Sequence, residues 1–108
     1  MRFTLSALAA ALLAAALAPA HAATTDPAAG RHIAETTCSA CHDVGAAPAP
    51  QDSQRRAPSF LAISRMPSTT ELSIKVYMRT SHPKMPNIIL TPDEIDSIAA
   101  YITGLAKP

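Results

Sequence analysis

The sequence predicts an all-α domain, and three observations carry that prediction. Helix-entry signals recur at Asp26-Pro27, at Ser68 to Glu71 and at Thr91 to Glu94. The apolar residues that follow repeat at helical spacing, most clearly Ile95, Ile98, Ala99, Ile102 and Leu105. No run of branched apolar residues marks a strand, and no internal repeat is present.

The first segment, 1–22, reads as a signal peptide. Met1-Arg2 is a short positive start, Phe3 to Ala18 is apolar apart from Thr4 and Ser6, and Pro19 breaks the helix ahead of a small-x-small cleavage site at Ala20-His21-Ala22. The apolar run is shorter than the ~20 residues needed to span hydrocarbon, and no cysteine follows the cleavage site for lipid attachment. The expectation is export to the periplasm as 23–108, one small domain with no stable membrane anchor.

Within that domain Asp26 is an N-cap and Pro27 sits at the first helical position. This opens a helix toward Cys38 with Ile33 as its main apolar contact. Gly30 lies inside it at about 1 kcal/mol of lost propensity relative to Ala, as a site of close backbone approach or as a tolerated residue. Asp43 to Ala57 is rich in Ala, Pro and polar residues and reads as a loop. Pro58 to Ser64 reads as a short helix carrying Phe60, Leu61 and Ile63. Ser68-Thr69-Thr70-Glu71 matches a capping box opening a helix to about Arg79, with Leu72, Val76 and Tyr77 facing inward and Ile74 a further candidate. Pro83 and Pro86 stiffen an extended loop from Ser81 to Leu90. In the last helix Thr91 is the N-cap, Pro92 the first residue and Glu94 the reciprocal cap, with Asp93 and Glu94 at the positive end.

Cys38-Ser39-Ala40-Cys41-His42 carries the chemistry, and its two cysteines are the only ones in the chain. Two thiols three positions apart on a helical turn can each add to one vinyl group of a single porphyrin, and the next histidine then lies under the ring with a nitrogen for iron. A structural zinc site needs further Cys or His pairs, whereas His21, His32 and His82 are scattered. A thioredoxin-like pair needs a preceding strand. A disulfide is compatible with export but leaves His42 without a role. The reading is one covalently bound haem, consistent with export, because haem is joined to such motifs outside the cytoplasm. The domain has no Trp, two Tyr and one Phe, a core too small to be more than marginal alone. A buried porphyrin would supply the missing apolar bulk.

The second axial ligand must come from further along. Met78 falls in a helix, where a packing role is simpler. Met66 and Met85 both precede a proline, which favours extended backbone. Met66 follows His42 after one short helix, whereas Met85 comes a full helix later in a proline-stiffened loop that can cross the opposite haem face. Met85 is therefore favoured. His82, three residues earlier, is the competitor, with a solvent-exposed rim position as its simpler role.

With these residues in place, the chain resembles the small bacterial class I cytochromes c, single-haem carriers with histidine–methionine ligation. The resemblance runs from Gly30 to Leu105 and rests most specifically on Cys38, Cys41, His42 and Met85-Pro86. It implies a small helical domain wrapped around one haem c, with His42 and Met85 as iron ligands. It also implies that the Pro58 carbonyl in Ala57-Pro58-Ser59-Phe60 accepts a hydrogen bond from the proximal imidazole. Gly30 and Tyr101 match positions where the family's first and last helices cross, with Ile98 on the same face. Ile33 departs from the aromatic usual at its position. The absence of Trp removes the familiar indole partner of a haem propionate and leaves Arg55, Arg56 and Tyr77 as open substitutes.

The implied function is one-electron transfer between larger redox proteins, periplasmic or membrane-associated dehydrogenases, oxidases or reductases, with no substrate turned over. Methionine ligation favours the reduced iron. A dedicated relay subunit of such a complex is the alternative; the lack of a long apolar stripe favours a monomer. A haem peroxidase would need distal acid–base groups, for which His82 is the sole nearby histidine. The leader's Arg2 accounts for the excess of one basic residue, so the charge balance excludes a case for nucleic acid. Lys84, Arg55 and Arg56 are candidates for a weak basic docking rim.

Overall fold

Asp26 adopts extended backbone and its carboxylate accepts the Ala28 N–H at 2.9 Å, so the first helix starts where its cap chemistry dictates. The computed structural model describes residues 24–48 and 57–107. The expected signal peptide and its cleavage site lie outside the described residues, as do Arg55 and Arg56. Helix α1 spans Pro27–Ile33 and continues as a π-helical turn over Ala34–Cys38, where the Ser39 N–H reaches back five residues to the Ala34 carbonyl at 3.0 Å. The Thr36 and Ser39 hydroxyls donate to the carbonyls of His32 and Glu35, at 2.9 and 2.7 Å, where the backbone ladder changes register. Gly30, Ala34 and Cys38 form the buried row of this segment. Ile33, expected as the main contact, is only half-buried, because the small residues beside it bring α1 so close to its partner that Ala34 takes the central place.

Helix α2 spans Phe60–Ser64, two residues shorter at its start than expected, because the Ser59 side chain caps it by accepting the Ala62 N–H at 3.1 Å. Phe60 and Leu61 are buried and Ile63 is half-buried against the core.

Helix α3 spans Glu71–Arg79, and its cap is Thr70 rather than Ser68. The Thr70 hydroxyl accepts the Ser73 N–H at 3.0 Å and the Ser73 hydroxyl accepts the Thr70 N–H at 2.9 Å. Thr69 is engaged elsewhere: its N–H closes a turn on the Met66 carbonyl and its hydroxyl donates to the Ile63 carbonyl at 2.7 Å. The helix also faces differently from the expectation. Ile74 is buried and Met78, one turn on, packs against the core, while Leu72, Val76 and Tyr77 are exposed. Two residues along a helix are ~200° apart, so a core contact through Ile74 turns Leu72 and Val76 outward. Lys75 Nζ, 3.2 Å from Asp96 Oδ1, ties this orientation to the last helix.

Helix α4, Pro92–Gly104, is built as its sequence predicts. The Thr91 hydroxyl accepts the Glu94 N–H at 3.3 Å, and the Glu94 carboxylate accepts the Thr91 N–H at 2.7 Å. The Thr91 N–H and then its hydroxyl, both donating to the Glu94 carboxylate, hold that carboxyl below its usual range. Ile95, Ile98, Ala99 and Ile102 are buried, and Leu105, just past the helix end, is half-buried against the core. Ser97 is buried too: its hydroxyl accepts the Asp26 N–H at 3.2 Å and joins the two ends of the domain.

The fold is all-α, with no strand among the described residues. Helix α4 is its hub, with α1 packed across it most extensively and α2 and α3 against it. At the α1–α4 crossing a Cβ on Gly30 would overlap the Ser97 carbonyl and come within 2.9 Å of the Ile98 nitrogen. Gly30 is thus a position of close approach, not a tolerated one. No helix among the described residues is long and apolar enough to cross a membrane.

Candidate functional site

The site grows out of the end of the π turn. The Cys41 and His42 N–H groups both donate to the Cys38 carbonyl, at 3.1 and 2.9 Å, so the chain keeps a helical turn through His42. Cys38 is buried, Cys41 is exposed, and the two are not joined in a disulfide. Burial pushes the Cys38 thiol up.

His42 Nδ1 lies 2.7 Å from the Pro58 carbonyl oxygen. A carbonyl can only accept, so Nδ1 carries the proton and the basic lone pair is on Nε2, the tautomer that binds a metal through Nε2. The Phe60 ring sits beside the imidazole, with centroids 5.2 Å apart and planes tilted by 52°. Just past the histidine, the Phe60 N–H donates to the Asp43 carbonyl at 2.8 Å and the Tyr101 hydroxyl donates to the Val44 carbonyl at 2.7 Å.

A cleft of about 240 Å³ brings Cys38, Cys41 and His42 together with Met85, and Thr37, Ala40, Pro86 and Ile88 complete its walls. Of the methionines weighed as axial ligands, Met66 is exposed and Met78 packs against the core, and neither lines this cleft. His82 is not among the lining residues either. Its Nδ1 is 2.8 Å from the Thr80 carbonyl, its ring lies 3.8 Å from that of Tyr77, and its Nε2 is buried without a hydrogen-bond partner. His82 is thus half-buried beside Tyr77 and not solvent-exposed as expected. Among the described residues no group of three His, Cys, Asp or Glu side chains could hold a metal ion, so the zinc alternative has no ligand set there.

The family model for cytochrome c matches residues 27–106. The chain belongs to the cytochrome c family. Nothing matched among curated proteins or among solved structures. A cytochrome c binds haem c covalently, and Cys38 and Cys41 are the two cysteines present for it. The donor set of this cytochrome fits the group: paired thiols, an imidazole whose tautomer a carbonyl defines, and a thioether on the same cleft.

Sequence reasoning brought Cys38, Cys41, His42, Pro58 and Met85 to the site, and the structure places all five around or beside one cleft. It missed Thr37, Ala40 and Ile88, which line that cleft. Thr37 and Ala40 flank the cysteines in the same turn, a position that proximity alone could have suggested. Nothing local marked Ile88 over its neighbour Ile89, which is 98 % exposed.

Proposed function

We propose that this cytochrome c is an exported, single-haem, one-electron carrier between periplasmic redox proteins, with His42 and Met85 as iron ligands. The observation that carries the reading is the cleft shared by both thiols, the Pro58-held imidazole and the Met85 thioether. Bound haem c supplies a reversible one-electron change at its iron. The protein does the rest. Cys38 and Cys41 would fix the ring to the helical turn, and the Pro58 carbonyl fixes the His42 tautomer and ring orientation. Met85, a soft thioether, favours the ferrous state. With His42 and Met85 both bound to it, the iron would have no position left for a small molecule, which is why the reading is a carrier and not an enzyme.

Denaturing electrophoresis with haem staining tests this directly. Colour should stay on the polypeptide, one haem per chain by mass, with the mature chain starting near Ala23. Haem extracted into acidified organic solvent would defeat the thioether assignment.

Docking follows the same logic. Lys84 is exposed and adjoins Met85, so it stands at the edge through which electrons would pass. Against an acidic partner, Lys84→Glu should slow second-order transfer by about threefold or more at low salt, with the difference fading as salt rises. Its reduction potential should barely move. Salt-independent rates with wild-type protein would return Lys84 to ordinary solvated surface.

A further inference from the structure

Three consecutive residues at the proximal side are each held by a bond from elsewhere in the chain. The His42 imidazole is held by the Pro58 carbonyl, the Asp43 carbonyl by the Phe60 N–H, and the Val44 carbonyl by the Tyr101 hydroxyl. The first two bonds lead to the entry of α2, a helix of five residues. The third leads to α4, the thirteen-residue helix against which the other helices pack. It spans 57 positions of sequence. Tyr101 and Val44 both pack against the core, and the bond between them is partly buried. Burial holds the Tyr101 phenol above its ordinary range, which keeps it a donor across the neutral pH scale.

We infer that Tyr101 is a positioning residue for the axial histidine, acting through the Val44 carbonyl to hold the His42–Pro58 hydrogen bond at its length. The inference rests on the haem reading above and deepens it. An orienting hydrogen bond tunes a ligand only when both ends are held. Pro58 is one end. The backbone leaving His42 is the other, and Tyr101 is its link to α4. When that link is cut, residues 42–44 keep their bonds to the α2 entry and to Cys38 but lose the tie to α4. The Nδ1–H···O bond then opens more often, the imidazole becomes a weaker electron donor, and the ferric state loses stabilisation.

Tyr101→Phe in the haem-loaded protein tests this, because it keeps the ring and removes only the hydroxyl. Ser97→Ala is its control: one turn away on α4, it removes a hydrogen bond that ties this helix to Asp26 at the N-cap of α1 and not to residues 42–44. For Tyr101→Phe, hydrogen exchange at His42 Nδ1–H, followed by NMR, should speed up about fivefold, and the reduction potential should rise. For Ser97→Ala, stability should fall while both readouts stay at their wild-type values. If Tyr101→Phe lowers stability yet leaves His42 exchange and the potential unchanged, or if Ser97→Ala moves them equally, Tyr101 is packing alone. If the wild-type protein retains no haem, the functional reading itself fails and takes this one with it.

Discussion

Gly30→Ala is expected to cost the folded protein about 3 kcal/mol or more, at the upper end for an overpacked site. The added Cβ would overlap the Ser97 carbonyl oxygen and carbon and lie 2.9 Å from the Ile98 nitrogen. These are backbone atoms in the middle of α4, so no side-chain rotation relieves the overlap. The helices must separate, which opens the packing of Ala34, Ile98 and Ala99, all at 1 % exposure or less. The gain in helix propensity, about 1 kcal/mol, offsets only part of this. Gly104→Ala is the matched comparison, since a Cβ there meets nothing within 4 Å; it should be neutral or slightly stabilising. Denaturant titration of both variants checks the pair, with the midpoint of Gly30→Ala falling at an unchanged slope. A stabilised Gly30→Ala would mean the crossing has room that the geometry denies.

Met85 carries the second large effect. Met85→Ala should abolish the weak near-infrared sulfur-to-iron band of the oxidised protein. Met85→His should lower the reduction potential by on the order of 0.1 V or more, a modest part of the ~0.8 V that axial ligands span. The exchange replaces a soft thioether that favours ferrous iron with an imidazole that favours ferric iron. Met66→Ala should leave the band intact, as Met66 is exposed and does not line the cleft. His82→Ala should do the same, since its ring is engaged with Tyr77 and the Thr80 carbonyl. A band lost in Met66→Ala, or a bis-histidine spectrum that His82→Ala removes, would reassign the ligand.

Elements whose cause is local were legible in the chain. The Cys38–His42 motif is written in one turn because both thioethers and the imidazole must reach a single ring. The starts at Asp26-Pro27 and at Thr91-Pro92 with Glu94 were legible because each cap is a hydrogen bond across two or three residues. The start of α3 was misread for a related reason. Ser68 with Glu71 and Thr70 with Ser73 are both plausible caps, and the choice fell to Thr69, which is drawn away to the Ile63 carbonyl at the end of α2. The Pro58 carbonyl and the Gly30 crossing were reached through the family resemblance, not from the residues alone.

By itself, then, the sequence determined the helical class, the attachment motif, two helix starts and the apolar face of α4, all consequences of spacing within a turn or two. Tertiary structure alone decided which face of α3 turns inward, Ile74 in place of Leu72 and Val76, because that depends on how α3 docks on α4. It alone joined Tyr101 to Val44, 57 positions apart. Such features follow from contacts between segments dozens of residues apart, whose energies enter only once the helices have packed, and no local pattern of residues encodes them.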